Sequence, residues 1–123
     1  MNTTLLPNFT IPYKSKKTYK ERRLESKNII EKYPDRIPVI CERKGSTQLL
    51  LNKYKYLVPK DLTVSQFMFI IRKRLTLPPK NAIFLFCKNS LAPSCETINN
   101  LYLNYKDEDG FLYLNYTEEN VFG

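Results

Sequence analysis

Residues 53–63, Lys-Tyr-Lys-Tyr-Leu-Val-Pro-Lys-Asp-Leu-Thr, together with residues 64–75 that follow, limit the possible folds more than any other stretch of the chain. Strand side chains alternate between faces, so Lys55 and Leu57 point one way while Tyr56 and Val58 point the other. Pro59 has no N–H to give a ladder and is tolerated only at an edge or a strand end, which predicts a short edge strand stopping there. Thr63 and Gln66 have the spacing of a capping box, and Leu62 and Phe67 that of a hydrophobic staple, so a helix is predicted to start at Val64. The unit is an edge strand, a turn and a helix.

That helix carries more apolar residues than one face requires. Val64, Met68, Ile71 and Leu75 fall at i, i+4, i+7 and i+11 and form a core stripe. Phe67 and Ile70 lie beside it, with Arg74 one turn beyond. Two readings stand at this point. The surplus is either a wide core face, or one wall of an apolar groove between the edge strand and the helix, closed by a cation and able to hold a peptide.

The 123 residues suffice for one domain with a real core. With 42% hydrophobic residues and no run of membrane-spanning length, a soluble globular domain is expected, and no secretory leader is read at the start. Three cysteines, Cys41, Cys87 and Cys95, show no Cys-x-x-Cys spacing and read as free thiols of an intracellular chain, Cys41 and Cys87 buried in strands. The absence of histidine removes Ser-His and Cys-His nucleophiles and His-based metal sites. The acidic groups Asp107-Glu108-Asp109 and Glu118-Glu119 read as solvated turn segments, and no Gly-rich phosphate cradle exists. No catalytic activity, metal or cofactor is expected. Residues 1–44 carry 11 Lys/Arg against 5 Asp/Glu, the remainder 9 against 7, so the net charge of +8 is concentrated at the N-terminal third. That asymmetry suggests an acidic peptide, an anionic membrane or nucleic acid as partner, or simply a solvated basic face.

In chain order, residues 1–12 lack periodicity, contain Pro7 and Pro12, and are expected to be mobile. Residues 19–32 read as a helix ending before Tyr33-Pro34. On it Ser26, Ile30 and Tyr33 follow one stripe, and Glu21, Glu25 and Ile29 another. Residues 37–43 alternate as a strand with Ile37, Val39 and Cys41 on one side and Pro38 and Ile40 on the other; two apolar faces require cover on both. The capped helix can cover one and the N-terminal helix the other. Residues 44–52 form a hairpin loop, and Pro78-Pro79 stop the central helix. Residues 83–87 form a buried strand, 89–94 a loop, 97–102 a short helix and 111–116 the last strand. A hairpin, a helix and closing strands on one four-stranded mixed sheet make an α+β chain of the β-grasp type, preceded by a helix.

Read in order, Tyr33-Pro34-Asp35-Arg36-Ile37-Pro38-Val39-Ile40, Lys55-Tyr56-Leu57-Val58-Pro59, Asp61-Leu62-Thr63-Val64, Ile71-Arg72-Lys73-Arg74 and Asp107-Glu108-Asp109-Gly110-Phe111-Leu112-Tyr113 closely resemble the autophagy-related protein 8 family, which includes light chain 3 and the GABA-receptor-associated protein. The resemblance covers residues 19–123 and leaves 1–18 as a basic extension. It implies a ubiquitin-like β-grasp with added N-terminal helices and two adjacent pockets for partners with an aromatic-x-x-aliphatic motif, bound as an added parallel strand. By position, the aromatic pocket would use Glu25, Ile29, Pro38, Ile40, Lys55, Leu57 and Phe111, and the aliphatic pocket Tyr56, Val58, Pro59, Leu62, Phe67, Ile70 and Arg74. Lys55 and nearby basic residues would attract acidic residues flanking the motif.

The resemblance further implies that Gly123 is activated by ubiquitin-like activating and conjugating enzymes and joined to phosphatidylethanolamine, which would make the chain cytoplasmic and, once lipidated, associated with autophagosomal or related membranes. Two acyl chains suffice for stable anchoring where one is marginal. The chain departs from the family pattern in its longer N-terminal extension, a hairpin loop one residue short that carries Leu49-Leu50-Leu51, and Tyr54 where lysine is common. The expected function is that of a conjugated modifier. The rivals are an unconjugated ubiquitin-like adaptor that binds peptides and, resting on N-terminal charge alone, a nucleic-acid- or tubulin-binding protein.

Overall fold

A computed structural model describes residues 11–45, 47, 49–75 and 82–119. Helix α1 (Tyr13–Lys16) and helix α2 (Tyr19–Lys32) precede strands β1 (Arg36–Arg43) and β2 (Lys55–Pro59). Helix α3 (Val64–Arg74), strands β3 (Ile83–Cys87) and β4 (Ser90–Leu91), helix α4 (Ile98–Tyr105) and strand β5 (Leu112–Glu118) complete the chain. The five strands lie in the order β2-β1-β5-β3-β4, with β1 parallel to β5 and the other pairs antiparallel.

Both long helices start where side chains satisfy free N–H groups. In α3 the Gln66 N–H donates to Thr63 Oγ1 at 3.2 Å and the Thr63 N–H donates to Gln66 Oε1 at 2.9 Å. Thr18 and Glu21 make the same reciprocal pair on α2. A cap of this kind contributes about 1 kcal/mol. Helix α3 ends at Arg74; Pro78-Pro79 lie outside the described residues.

The two apolar faces of β1 each find cover. Ile37, Val39 and Cys41 enter the principal core with Val64, Phe67 and Ile71 of α3 and Leu101 of α4. Ile40 faces the opposite side, in a smaller cluster with Tyr13 and Phe111, against which Ile29, Tyr54 and Tyr113 pack. The second layer is therefore built by α1 as well as α2. Tyr13, which falls in the extension expected to end at residue 18, is fully buried.

Three sequence expectations need correction. The sheet has five strands rather than four, because Ser90 and Leu91 pair with Cys87 and Phe86 within the stretch read as a loop. A tight turn at Lys88 (φ 52°) and Asn89 (φ 67°) makes that pairing possible, positive φ at both central residues matching the twist of a two-residue hairpin. Leu49 and Leu51 are not at an exposed tip. They fold back into the principal core, where the Tyr116 hydroxyl donates to Leu49 C=O at 2.8 Å and accepts from Leu51 N–H at 3.1 Å. Asp109, read as part of a solvated acidic turn, is fully buried. Its carboxylate accepts from Arg22 Nη1 (2.5 Å), the Tyr113 hydroxyl (2.5 Å) and Phe111 N–H (2.9 Å), while the Ser26 hydroxyl donates to its C=O (2.5 Å).

Gly110 follows at φ +92°, with Ser26 Oγ only 2.3 Å from where a Cβ would stand, so this approach of α2 to the β5 turn requires glycine. Removing one partner of a buried charge pair strands the other. Asp109→Ala should therefore lower unfolding free energy in urea by about 3–5 kcal/mol. A loss below about 1 kcal/mol, the scale of exposed pairs, would contradict the packing described.

Candidate functional site: the open edge of β2 and its groove

β2 occupies one end of the strand order and, among the described residues, pairs with β1 alone. Its register sets Pro38 opposite Leu57, and Pro38 has no N–H to exchange. The bonded positions are flanked by Cys41 N–H to Tyr54 C=O (2.8 Å) and Lys60 N–H to Asp35 C=O (3.2 Å). By the alternation of antiparallel pairs, Ile37/Val58 and Val39/Tyr56 are bonded and the main-chain groups of Lys55 and Leu57 face outward. An Arg36 Nη1 donates to the outward Leu57 C=O at 3.1 Å.

Beside this edge lies a cavity of about 350 Å³ between β2 and α3. Tyr56, Val58, Pro59, Leu62, Phe67, Ile70 and Arg74, the seven residues assigned by position to an aliphatic pocket, all line it, with Leu57. Phe67 is fully buried and forms the floor, its ring edge-on to Tyr56 at 5.4 Å and 90°. Ile70, 37% exposed, lies on the open side. The surplus apolar face therefore serves both as core and as cavity lining, Phe67 belonging to both at once. Arg36 and Lys53 also line the cavity, although sequence reasoning did not assign them to it. Arg36 could have been found from its register opposite Pro59. Among the described residues the lining contains three cations and no carboxylate.

The residues assigned to an aromatic pocket are arranged differently. Ile40 and Phe111 are fully buried beneath Tyr13, whose ring lies 5.4 Å from Phe111. Glu25 accepts hydrogen bonds from both the Tyr13 hydroxyl and Lys55 Nζ, and Lys55 Nζ stands 5.2 Å over the Tyr13 ring. Glu25 and Ile29 also border a second cavity of about 510 Å³ along α2, with Leu24, Asn28 and Tyr33. Pro38 lies on β1 opposite Leu57, and Leu57 belongs to the groove. Tyr13 is thus the member of this set that the sequence did not reveal; nothing local distinguishes it from other residues of a segment with no periodicity.

Burial pushes the Tyr13 hydroxyl up, as does its bond to Glu25. Burial alone would raise the Glu25 carboxyl, but the bonds from Lys55 and Tyr13 hold it below its ordinary value. Tyr54, the departure from lysine, packs 5.8 Å from Tyr13 and receives Lys16 Nζ over its ring at 4.0 Å, which draws α1 onto the sheet.

A β-grasp sheet with two helices added before its first strand, bearing a groove at an open edge, defines a ubiquitin-like protein. Residues 21–123 match the family described as "Autophagy protein Atg8 ubiquitin like", and the chain belongs to that family. It is similar to autophagy-related protein 8 of Kluyveromyces marxianus, 47% identical over 112 residues covering 90% of each chain. The protein of the same name from Schizosaccharomyces pombe is 48% identical, over 90% of this chain and 93% of its own. Among solved structures, Trypanosoma brucei ATG8 superposes with a TM-score of 0.84 at 39% identity, over 92% of this chain and 98% of its own. Plasmodium falciparum Atg8, solved in complex with a Plasmodium falciparum Atg3 peptide, gives 0.81 at 34% identity, over 89% and 97%.

The Glu25 site carries a pH signature. Because its folded pKa is depressed, its stabilisation is complete above the unfolded carboxyl value of about 4.3 and disappears as pH falls through the lower folded value. Melting temperature measured from neutral pH down through that window should fall less steeply for Glu25→Gln than for the native chain. Parallel curves would mean that the Tyr13–Glu25–Lys55 bonds do not stabilise the fold.

Proposed function

We propose that this chain is a non-catalytic ubiquitin-like modifier of autophagy, cytoplasmic until Gly123 is joined to phosphatidylethanolamine, and that it then gathers proteins bearing an aromatic-x-x-aliphatic motif at the membrane. The observation that carries the binding half is the groove: an apolar cavity directly beside outward-facing main-chain groups of an edge strand, rimmed by cations. A peptide added as a parallel strand bonds to the Lys55 and Leu57 main chain, displacing Arg36 from the Leu57 carbonyl. Its aliphatic side chain enters between Ile70, Leu62 and Val58 above Phe67. Acidic residues beside the motif meet Arg36, Lys53 and Arg74, which favours fast, selective association.

The aromatic side chain goes to the neighbourhood of Lys55, Glu25 and Ile29, with Pro38, Ile40 and Phe111 completing that pocket, and its entry requires Tyr13 and Lys55 to yield space. The Plasmodium falciparum relative was solved in complex with an Atg3 peptide, which supports a conjugating enzyme among the partners of this chain. No described helix is long and apolar enough to cross a membrane. On this proposal the lipid on Gly123, a residue outside the described part of the chain, supplies the attachment. Glycine suits conjugation because a residue without a side chain passes a narrow active site with its carboxylate open to attack.

Leu57→Ala combined with Ile70→Ala should weaken a motif peptide by about 2 kcal/mol, roughly thirtyfold, as measured by calorimetry. These two half-exposed positions are preferable to Tyr56, which the core also needs. Unchanged affinity would remove the groove from the reading. Gly123→Ala should abolish the lipid-linked form in cells, followed by mass spectrometry of the C-terminus. Persistence of the peptide-binding activity without any lipid-linked form in the native chain would favour the unconjugated adaptor.

A further inference from the structure

Tyr13 occupies the place that the aromatic residue of a partner would take. Its ring lies under Lys55 Nζ at 5.2 Å and edge-on to Phe111 at 5.4 Å and 71°, in one cluster with Ile40. Its hydroxyl donates to Glu25. Glu25, Ile40, Lys55 and Phe111 all belong to the set assigned to the aromatic pocket, and Ile40 and Phe111 are fully buried while Tyr13 is in place. A side chain from a peptide therefore reaches them only by exchanging with the Tyr13 ring.

Helix α1, which carries Tyr13, is separable from the rest. A single turn of four residues has too few hydrogen bonds to persist by itself, and its N-cap, Pro12, contributes no side-chain bond. It is held instead by contacts to the domain. Tyr13 N–H donates to Glu42 Oε2 at 2.6 Å, Lys14 Nζ pairs with Asp107 at 2.7 Å, and Lys16 Nζ stands over the Tyr54 ring at 4.0 Å. The joint to α2 is extended at Lys17 (φ −136°) and Thr18 (φ −70°). Arg22 Nε donates to the Lys17 C=O at 3.2 Å, and the Thr18–Glu21 box closes the start of α2 without help from α1. Release of α1 thus gives up the anchors at residues 13–16 and leaves α2 intact.

We propose that α1 is an autoinhibitory latch: Tyr13 fills the aromatic pocket as an internal stand-in for the partner's aromatic residue, and a motif peptide binds after α1 swings out about residues 17–18. This rests on the reading that the edge of β2 takes such peptides, and adds how that binding is regulated. A protein that binds only in its open form has its affinity reduced by the open fraction. While that fraction is small, whatever weakens the anchors of α1 tightens binding in proportion. Loss of positive charge acts the other way, since it attracts an acidic peptide less. The two effects have opposite signs when an α1 lysine is removed.

The probe is a synthetic peptide with tryptophan and leucine at the aromatic and aliphatic positions and aspartates before the tryptophan, titrated by calorimetry into the full-length chain. Lys14→Gln combined with Lys16→Gln removes the ion pair and the cation–ring contact without touching the core. Each contact is worth a factor of about two, so this variant should bind the peptide about fourfold more tightly than the native chain. Lys20→Gln combined with Lys27→Gln, the same loss of charge at exposed positions of α2, should bind no more tightly than the native chain. Saturating peptide should also speed hydrogen exchange at the Tyr13 N–H, bonded to Glu42, and at the Lys17 N–H, bonded to the Tyr13 C=O. Unchanged or weaker affinity of the Lys14/Lys16 variant would overturn the latch and leave the groove standing. So would an equal gain in the Lys20/Lys27 variant, or undiminished protection of those two amides in the complex. If neither the native chain nor any variant bound the peptide, the groove would fall and the latch with it.

Discussion

The carboxylate of Asp109 is the point at which the added helices and the sheet become one structure. It receives the Arg22 guanidinium from α2, the Tyr113 hydroxyl from β5 and the Phe111 N–H from its own turn, with no solvent access. A charge in such a place is tolerable only when every lone pair is met, and the cost of an incomplete set falls on the whole arrangement. The dependence runs outward from there. With Phe111 held by its main chain, its ring forms a wall for Tyr13, and Tyr13 in turn bonds Glu25. Glu25 fixes Lys55, which stands on the edge strand itself. A buried pair on one side of the sheet thus sets the resting position of a cation on the open edge.

The open edge needs its own explanation, because unpaired strands invite aggregation. β2 is short, ends in Pro59, and carries Lys55 with Arg36 folded over the Leu57 carbonyl. Each of these is a known way of blunting an edge. Arg36 and Lys55 protect the edge in the free chain, and under the proposed function the same charges would meet acidic residues of a peptide partner while discouraging a neutral strand. On that proposal, specificity would come from the cost of displacing cations as much as from the apolar fit in the cavity.

How much could be read beforehand follows from how local each determinant is. The caps of α3, the alternation of β2 and the termination at Pro59 depend on residues within four positions of one another, and they fold as the spacing requires. The residues of the aliphatic set converge on one cavity because they belong to two neighbouring elements whose register the capped turn fixes. Asp109 misled because Asp-Glu-Asp-Gly has the composition of a solvated turn, and the partner that buries it lies 87 residues earlier. Leu49 and Leu51 are inward for a reason equally remote in sequence, the Tyr116 hydroxyl that satisfies their backbone. Tyr13 sits in a stretch with no pattern at all and is ordered by Phe111, Tyr54, Glu25 and Glu42, all supplied by later elements. Long-range satisfaction of polar groups leaves no periodicity behind.

Helix α3 shows why hydrophobicity alone is a poor guide to burial. Within its eleven residues Phe67 is sealed in the core, Ile70 is half in a groove and Phe69 stands in solvent under a lysine. A single exposed phenylalanine is ordinary on a helix surface, and here Lys73 Nζ stands over its ring. The core fixes the inner stripe, the cavity beside β2 takes the flank, and the outer stripe is left to solvent. The three demands coexist because the 3.6-residue period turns neighbouring positions by about 100° and so keeps their environments apart.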